Sequence, residues 1–373
     1  MKKDKQLLNA ESIIDCIAEN GTVTQIQVEK QIHLKRTSVF NIFEELKNGG
    51  LIVSTSSSPA VQKGRPRSLW TLNAQVAAFM MVYINSKHNY FVLADFNGNQ
   101  IFSETMPFSE NIDDAITSTA EKYREWHAKY KIAGVMIAIS AKTDFDRGEI
   151  IASSIWKLKA FPLKERLLDA LGIDEENQLL LLENNARLGA WGEFCFGSSV
   201  GTRNLLTLHI YQGRRNGRNI FIGLGSGIIL DGHLFRGFRG GAGELDRSCY
   251  DWFEKIYEKD KFPTALNELD PTSLKFFAEK LGEGFAHMVN YLAPQRMVVV
   301  FDHENVSTEF IQILRQSVKK NLIIPEADFF PIEISTEGVN FVLKGGTALL
   351  RQIYFNRSEP LSRLLCQALQ SSK

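Results

Sequence analysis

Apolar residues recur every three or four positions through the first 48 residues, and this spacing predicts three helices. The first helix runs to about Asn20 and stops at Gly21. Thr24 is a candidate N-cap for a short second helix, and His33-Leu34 forms the turn before a third helix from about Lys35. The apolar positions that define the three faces are Leu7, Leu8, Ile13, Ile14, Ile17, Ile26, Val28, Ile32, Val39, Ile42, Phe43 and Leu46.

Two short apolar segments, 51–53 and 69–72, follow the third helix and are predicted to be strands. Gly49-Gly50 closes the helix before them, because glycine takes the left-handed conformation at low cost. A polar, basic loop, STSSSPAVQKGRPRS, joins the two segments. Three helices followed by a two-stranded ribbon is the element order of a winged helix-turn-helix domain, which we assign to residues 1–72.

Polar side chains at the start of the third helix and in the loop have the chemistry of DNA recognition. The periodicity that buries Val39 and Ile42 exposes the polar residues beside them, and arginine and asparagine side chains can pair with guanine and adenine edges. An extended Gly-Arg-Pro-Arg segment fits a narrow minor groove. The predicted DNA-binding residues are Lys35, Arg36, Thr37, Ser38, Asn41, Lys63, Arg65 and Arg67. The alternative is a helical protein-interaction module with a solvated basic loop.

From about Val76 the pattern changes to alternating strands and helices, which indicates an α/β architecture with mixed sheets. Predicted helices cover about 113–129, a segment from about Ala186, 273–292 and 308–320. The predicted strands are MMVYIN, YFVLADF, QIFSETM, AGVMIAIS, LLLLEN, LLTLHIY, NIFIGLG, SGIILDG and RMVVVFD.

The composition of the chain argues against several classes of protein. The 43 Lys and Arg residues balance 43 Asp and Glu residues, so affinity for nucleic acid must come from a local basic patch. The four cysteines are far apart without a Cys-x-x-Cys pair, which argues against a zinc ribbon or a disulfide framework. The N-terminal segment does not resemble a signal peptide, and no apolar run approaches the roughly 20 residues of a membrane span. We expect a cytoplasmic protein with no membrane partner.

Four segments carry a resemblance to a known family. Residues 223–247, GLGSGIILDGHLFRGFRGGAGELDR, look like the glycine-rich signature of the ROK family (repressors, open reading frames and sugar kinases). LLENNARLGAWGE at 181–193 resembles the family's sugar-site helix, and SSIWKLKAFPLKERLLDALG at 153–172 resembles the segment before it. GRPRSLWTLN at 64–73 is similar to the wing and junction of the repressor branch.

The resemblance implies the fold class and the domain organisation. We expect an α+β and α/β chain, with the winged helix-turn-helix followed by a two-lobed actin-like (RNase H-like) ATPase-type fold. Residues 73–184 would form the first lobe, completed by the C-terminal helix 358–373. Residues 185–357 would form the second lobe and carry the oligomerisation surface.

This sequence departs from the family's kinases at each part of their chemistry. The kinases carry an Asn-Asp pair whose Asp takes the proton of the sugar hydroxyl; here the pair is Asn184-Asn185, and a neutral amide cannot accept that proton. The phosphate loop is replaced by 85–89, which lacks the acid and the glycine. Arg247 stands where a sugar- and zinc-binding histidine is expected, and Cys249 alone cannot complete a zinc site. We therefore predict no kinase activity, no cofactor and no metal.

What remains of the site has groups that suit the hydroxyls of a sugar. Asn184, Asn185, Glu244 and Arg247 are the predicted ligand-binding residues, with Trp156 or Trp191 as an apolar ring face. Our hypothesis is a repressor that binds a pseudo-palindromic DNA operator as a homodimer or tetramer and responds to a sugar effector. The alternatives are structural side chains in a cleft without a ligand, an active sugar kinase with an attached DNA module, and an effector-independent regulator that answers to a protein partner.

Overall fold

The computed structural model describes residues 2–55, 68–215, 218–244, 269–302, 307–323 and 331–371. In these ranges the predicted helices and strands occur in the predicted order. The structure adds elements that we did not predict: helices at 163–171 and 338–355, and strands at 142–144, 149–153, 158–161, 233–234 and 332–335. Three packed units result: an N-terminal head and two lobes that each contain a five-stranded sheet. None of the helices in these ranges combines the length and apolar content that crossing a membrane requires.

The head contains the three predicted helices and the two predicted strands. Its helices are α1 (Lys2–Asn20), α2 (Gln25–Ile32) and α3 (Arg36–Asn48), and its strands, β1 (Ile52–Thr55) and β2 (Leu69–Leu72), pair antiparallel. Local capping fixes these boundaries. The Thr24 hydroxyl accepts from the Gln27 N–H at 3.2 Å, while Gln27 Oε1 accepts from the Thr24 N–H at 2.8 Å. His33 takes the left-handed conformation, φ 53°, that turns the chain from α2 into α3.

The first lobe is built on a sheet with the strand order β10-β6-β3-β4-β5. A second, three-stranded sheet contains β7, β8 and β9, and α4 and α5 pack on the outer face of the large sheet. The elements are β3 (Ala78–Ile84), β4 (His88–Asp95), β5 (Gln100–Pro107), α4 (Ile112–His127), β6 (Ile132–Ile139), β7 (Lys142–Asp144), β8 (Glu149–Ser153), β9 (Leu158–Phe161), α5 (Leu163–Leu171) and β10 (Leu179–Asn184).

The second lobe repeats the topology of the first. Its sheet has the order β13-β12-β11-β14-β15, with α7 and α8 on one face. In each lobe a central strand has an antiparallel hairpin on one side and parallel strands on the other. This duplicated topology confirms the expected two-lobed actin-like fold. The elements are α6 (Asn185–Phe196), β11 (Leu205–Arg215), β12 (Arg218–Leu230), β13 (His233–Leu234), α7 (Pro271–Leu292), β14 (Arg296–Phe301), α8 (Thr308–Lys320), β15 (Ile332–Ser335), α9 (Gly338–Phe355) and α10 (Glu359–Ser371).

The segment predicted as two strands, NIFIGLG and SGIILDG, is one continuous strand, β12. Its glycines do not make turns, because they face close neighbours. A Cβ at Gly225 would lie 2.7 Å from the Cβ of Ala186, and one at Gly227 would collide with Ala190. The glycines therefore allow α6 to lie directly on the strand.

The two lobes meet at a contact between α6 and α9 that has no room for side chains. A Cβ at Gly192 would collide with the Phe341 carbonyl, and one at Gly345 would collide with the Leu188 carbonyl. Helix α6 packs on β11 and β12 of the second lobe, and α9 packs on β3 and β6 of the first. The helix pair is therefore the joint between the lobes, and its glycines set the distance between them.

The C-terminal helix, 358–373 in our prediction, was expected to complete the first lobe, and the structure corrects this. Helix α10 contacts α1 and α3 of the head, while α9 covers the first lobe's sheet. A Cβ at Gly49 would lie 2.6 Å from that of Ala368, and the Ser362 hydroxyl donates to Glu11 Oε1 at 2.5 Å. The reason is the apolar face of α10, whose Leu361 and Leu365 are buried in the core that also contains α1 and α3.

A buried imidazole lies beneath α6. His209 on β11 is 4% exposed, and its Nε2 lies 3.1 Å from the Thr207 hydroxyl. Burial lowers the pKa of His209 to about 3, so the folded state keeps the ring neutral.

A larger side chain in the contact between α6 and α9 tests whether this contact accepts added volume. Gly192→Ala should lower the free energy of unfolding by about 1–3 kcal/mol, because the new methyl group forces α6 and α9 apart. Gly284→Ala is the matched control, since Gly284 is in α7 with nothing within 4 Å of its Cβ position. It should raise stability by about 0.5–1 kcal/mol. Urea denaturation measures both, and equal effects of the two substitutions would contradict the proposed joint.

Acid should destabilise the protein partly through His209. Its ring is neutral when folded, whereas the unfolded ring binds a proton below the ordinary histidine pKa of 6.5. Lowering the pH from 7 to 5 therefore favours the unfolded state, by about 2 kcal/mol from this group. His209→Gln, which keeps a donor near Thr207, should have a shallower loss of stability between these pH values. An identical pH dependence in the two proteins would refute this assignment.

Candidate DNA interface and interlobe site

The start of α3 presents a polar surface to solvent. Lys35, Arg36, Thr37 and Asn41 are exposed and Ser38 is half-buried, as the periodicity predicted. Val39, Ile42, Phe43 and Leu46 of the same helix are buried in the head. The predicted wing residues Lys63, Arg65 and Arg67 lie outside the described residues.

Aromatic and backbone contacts hold α3 in place. The Phe43 and Trp70 rings meet edge to face with centroids 5.6 Å apart, so α3 is fixed against β2. Trp70 also exchanges backbone hydrogen bonds with Val23, which ties β2 to the segment between α1 and α2. The exposed residues of α3 are thus carried by a rigid support.

One side chain on this surface was not among the residues predicted from the sequence. Phe40 is 53% exposed, although Val39 and Phe43 beside it on the helix are buried. The helical spacing could have predicted the exposure of Phe40, because position 40 lies outside the buried stripe.

The second candidate site lies where β3 and β10 meet the N-terminus of α6. Asn184, predicted to bind a ligand, caps α6: its Oδ1 accepts from the N–H groups of Ala186 at 2.9 Å and Arg187 at 3.2 Å. Its Nδ2 donates to the Ala141 carbonyl at 2.9 Å. Both ends of the amide are engaged within the protein, so Asn184 positions the helix.

Asn185 has a different environment. Its side chain is buried, and its Nδ2 donates to the Tyr83 hydroxyl at 3.2 Å. Its Oδ1 is buried with no hydrogen-bond partner among the described residues. Burial raises the pKa of Tyr83 to about 12, although hydrogen bonds from Asn85, Ser140 and Asn185 act in the opposite direction. An unpaired buried acceptor costs about 1–3 kcal/mol.

In the hairpin between β3 and β4, backbone N–H groups donate to a side chain of the same hairpin. Asn85 Oδ1 accepts from the N–H groups of Lys87 at 2.8 Å and His88 at 2.9 Å. Amides in such a turn are the groups that bind phosphate in a nucleotide loop, and here a side chain already holds them. Lys87 instead extends to the second lobe, where its Nζ lies 3.5 Å from Asp302 Oδ2.

A buried ion network links the lobes beside Asn185. Glu183 accepts from Arg187 Nε and Arg236 Nε, each at 2.6 Å, and Glu183 and Arg187 are almost completely buried. Arg187 also donates to the Gly240 carbonyl at 2.8 Å and to the Thr143 hydroxyl at 2.7 Å. We did not predict this network from the sequence, although Glu183 after the apolar residues of LLLLEN was a signal for a partner cation.

The glycine-rich segment is held on the first lobe by further cations. Arg236 stacks on Phe145 with its guanidinium 4.0 Å from the ring centroid, and Arg239 pairs with Asp144 at 2.9 Å. Among the predicted ligand residues, Glu244 is exposed at the end of this segment, and Arg247 lies outside the described residues. Trp156 and Trp191 are buried in the apolar cores rather than presented to a ligand.

No group of three potential metal ligands occurs among the residues that the structure describes. Burial raises the pKa of the Cys195 thiol to about 12, which disfavours the thiolate that metals bind. Cys249, the cysteine nearest to the glycine-rich segment, lies outside the described ranges.

A family match covers the region from the β3–β4 hairpin to the glycine-rich segment. Residues 86–251 match the ROK family. The chain is similar to the ROK family over this region. The matched region begins in the β3–β4 hairpin and extends past the glycine-rich segment, so it includes Asn184, Asn185 and the ion network of Glu183, Arg187 and Arg236.

Curated relatives include repressors and kinases. The chain is 21% identical to a xylose repressor of Caldicellulosiruptor bescii over 92% of this chain and 95% of the relative. A xylose repressor of Staphylococcus xylosus is 21% identical over 81% of this chain and 79% of the relative. A glucokinase of Streptomyces coelicolor is 30% identical, but over 41% of this chain and 44% of the enzyme.

Solved structures support the fold of the head and the ROK body together. A ROK family transcriptional regulator, a homologue of the E. coli MLC protein, aligns over 98% of this chain and 99% of its own with a TM-score of 0.69 at 18% identity. A ROK glucokinase from Streptomyces griseus aligns over 74% of this chain and 99% of its own with a TM-score of 0.57 at 18% identity. The portion of this chain beyond the kinase alignment corresponds in size to the head and its junction.

Proposed function

We propose that this protein is a DNA-binding transcriptional repressor of the ROK type, controlled by a sugar-class ligand between its lobes. The observation that carries the proposal is the single apolar core that joins a DNA-binding head to a ROK body. Because the head is fixed to the body in this way, a ligand that binds the body can change the position of the head and so its affinity for DNA. The proposal includes a cytoplasmic homodimer or tetramer, whose two-fold symmetry would match a pseudo-palindromic operator.

The DNA interface combines the exposed residues of α3 with the basic wing. Arg36 and Asn41 have the chemistry to pair with guanine and adenine edges in the major groove, while Lys63, Arg65 and Arg67 would contact phosphates and the minor groove. Because the chain has no net charge, this local concentration of cations supplies the attraction to DNA.

The ligand site is centred on Asn185. Its unpaired Oδ1 would accept a hydrogen bond from a ligand hydroxyl, and Glu244 and Arg247 of the glycine-rich segment would provide further polar contacts. Two of the relatives are named xylose repressors, which makes pentoses the first compounds to test. Asn184 contributes by holding the N-terminus of α6, and it supports Asn185 rather than contacting the ligand.

A route from the ligand to DNA follows the helices. Asn185 begins α6, α6 packs on α9 through Gly192, and α9 leads into α10, which packs on α3. A ligand that favours one arrangement of the lobes would shift α9 and α10 with it and thereby change the placement of the head. Operator affinity changes only as far as the ligand distinguishes the two arrangements.

Phosphoryl transfer is the second candidate function, since kinases are among the relatives. Two features of the site oppose it. Asn185 is an amide where the family's kinases have a carboxylate base, and Asn85 holds the hairpin amides that a phosphate would need. The ROK body is therefore proposed to bind without catalysing.

Substitution on α3 tests the DNA interface. In titrations with operator DNA selected from genomic fragments, Arg36→Ala or Asn41→Ala should weaken binding about 5- to 150-fold and relax the choice of base. Arg65→Ala should instead weaken binding to all sequences and reduce the salt dependence. Arg166→Ala is the control, because it removes one positive charge from α5, where Arg166 pairs with Asp113, and leaves the head unchanged. Wild-type affinity in Arg36→Ala, Asn41→Ala and Arg65→Ala would contradict this interface.

Ligand binding and catalysis can be separated in one screen. Thermal unfolding with a panel of pentoses and hexoses should give an upward shift for at least one sugar, and Asn185→Leu should abolish it, because leucine removes the acceptor at similar volume. ATP should give no shift, and coupled turnover with the binding sugar should give no ADP. A negative panel would favour a regulator without a sugar effector, and robust turnover would establish the kinase instead.

A further inference from the structure

We propose that Phe40 reads thymine: its ring contacts the C5 methyl group of a thymine in the major groove. This inference rests on the proposed DNA-binding function. It adds an apolar contact, and therefore a preferred base, to a surface otherwise described by hydrogen-bonding side chains.

The position of Phe40 on α3 carries the first part of the argument. The residue follows Arg36 by four positions and Thr37 by three, so the three side chains are neighbours on the helix surface. At 100° per residue, Phe40 lies between the buried stripe and the ridge that contains Thr37 and Asn41. Its exposed face is therefore part of the surface that would enter a major groove.

Among the residues that the structure describes, no packing contact of the head's core requires the ring of Phe40. The aromatic position of the head's core is filled by Phe43, which packs against Trp70, and Phe40 does not belong to that core. A half-exposed phenylalanine forgoes part of the free energy that complete burial of its ring would provide. Because single exposed apolar residues are common on proteins, the location and not the exposure alone decides the interpretation.

The chemistry around Phe40 identifies the partner. A docking protein or a second copy of the chain would be marked by a wider apolar patch. The solvent-facing side chains three and four positions from Phe40 are those of Arg36, Thr37 and Glu44, and Asn41 follows it in sequence. Arginine, threonine and asparagine are side chains that suit bases and phosphates. The thymine methyl is the apolar group that a base pair presents in the major groove, and phenylalanine is among the side chains that contact it. Phe40 beside Asn41 would thus recognise an A·T base pair or adjacent A·T pairs.

Deoxyuracil offers a test that alters the DNA by one methyl group. Each thymine of the selected operator is replaced in turn by deoxyuracil, and the affinity of the full chain is measured. At the contacted thymine, the wild type should lose about fourfold in affinity for each half-site, the effect of burying one methyl group. Phe40→Ala should bind thymine and uracil operators equally.

A matched variant controls for the loss of an exposed apolar side chain. Leu8 is 48% exposed on α1, outside the recognition helix, and Leu8→Ala should keep the full penalty for uracil. The inference is overturned if the wild type binds every uracil operator as tightly as the thymine operator, or if Phe40→Ala retains the penalty. Absence of any sequence-selective binding by the wild type would instead refute the proposed function itself.

Discussion

The contact between α6 and α9 is closer than side chains permit, and the relation between the two lobes depends on it. Gly192 and Gly345 leave backbone against backbone, while Gly225 and Gly227 let α6 lie directly on β12. A packed interior of this kind moves between discrete arrangements rather than deforming continuously. We therefore expect a change at the N-terminus of α6 to be passed to α9 as a rigid displacement.

The C-terminal helix extends this constraint to the head. Helix α10 follows α9 along the chain and shares a core with α1 and α3. The segment that leaves the interlobe joint therefore also contacts α3 in the head. Glu183, Arg187 and Arg236 complete the connection from the other side, since a buried ion network is costly to break by removing one member, about 3–5 kcal/mol. The interlobe site, the contact between α6 and α9, and the head are thus connected by continuous packing and by this ion network.

The interlobe site combines a kinase-like framework with groups that suit binding. The side-chain amide of Asn185 donates to the Tyr83 hydroxyl, whereas phosphoryl transfer needs a carboxylate base at this position. The backbone amides of the β3–β4 hairpin donate to Asn85, so they are not free to bind a phosphate. The unpaired Oδ1 of Asn185 is the feature that these internal bonds leave open. The proposed ligand site is therefore centred on this buried acceptor, with the glycine-rich segment beside it.

Local patterns predicted the local structure well. The capping residue Thr24, the glycine stops and the helical stripes were enough to define the head, and the boundaries of α8 agree with the expected 308–320. Features that depend on distant contacts were not predictable from spacing. The continuity of β12 was not predicted, because only the position of α6 explains its glycines. Helix α10 could not be assigned to the head without knowing that Gly49 leaves room for Ala368. Asn184 likewise became a helix cap only when Ala141 and the α6 amides were seen around it.

If α10 couples the head to the body, hydrogen exchange in the full chain should reveal that coupling. Leu365→Ala removes a fully buried side chain from α10, a change that costs about 2–5 kcal/mol. We expect amides of α3 to exchange faster in this variant together with those of α10, while amides of α7 in the second lobe keep their rates. Unchanged exchange in α3 alongside faster exchange in α10 would show that the head is not coupled to the body through this helix.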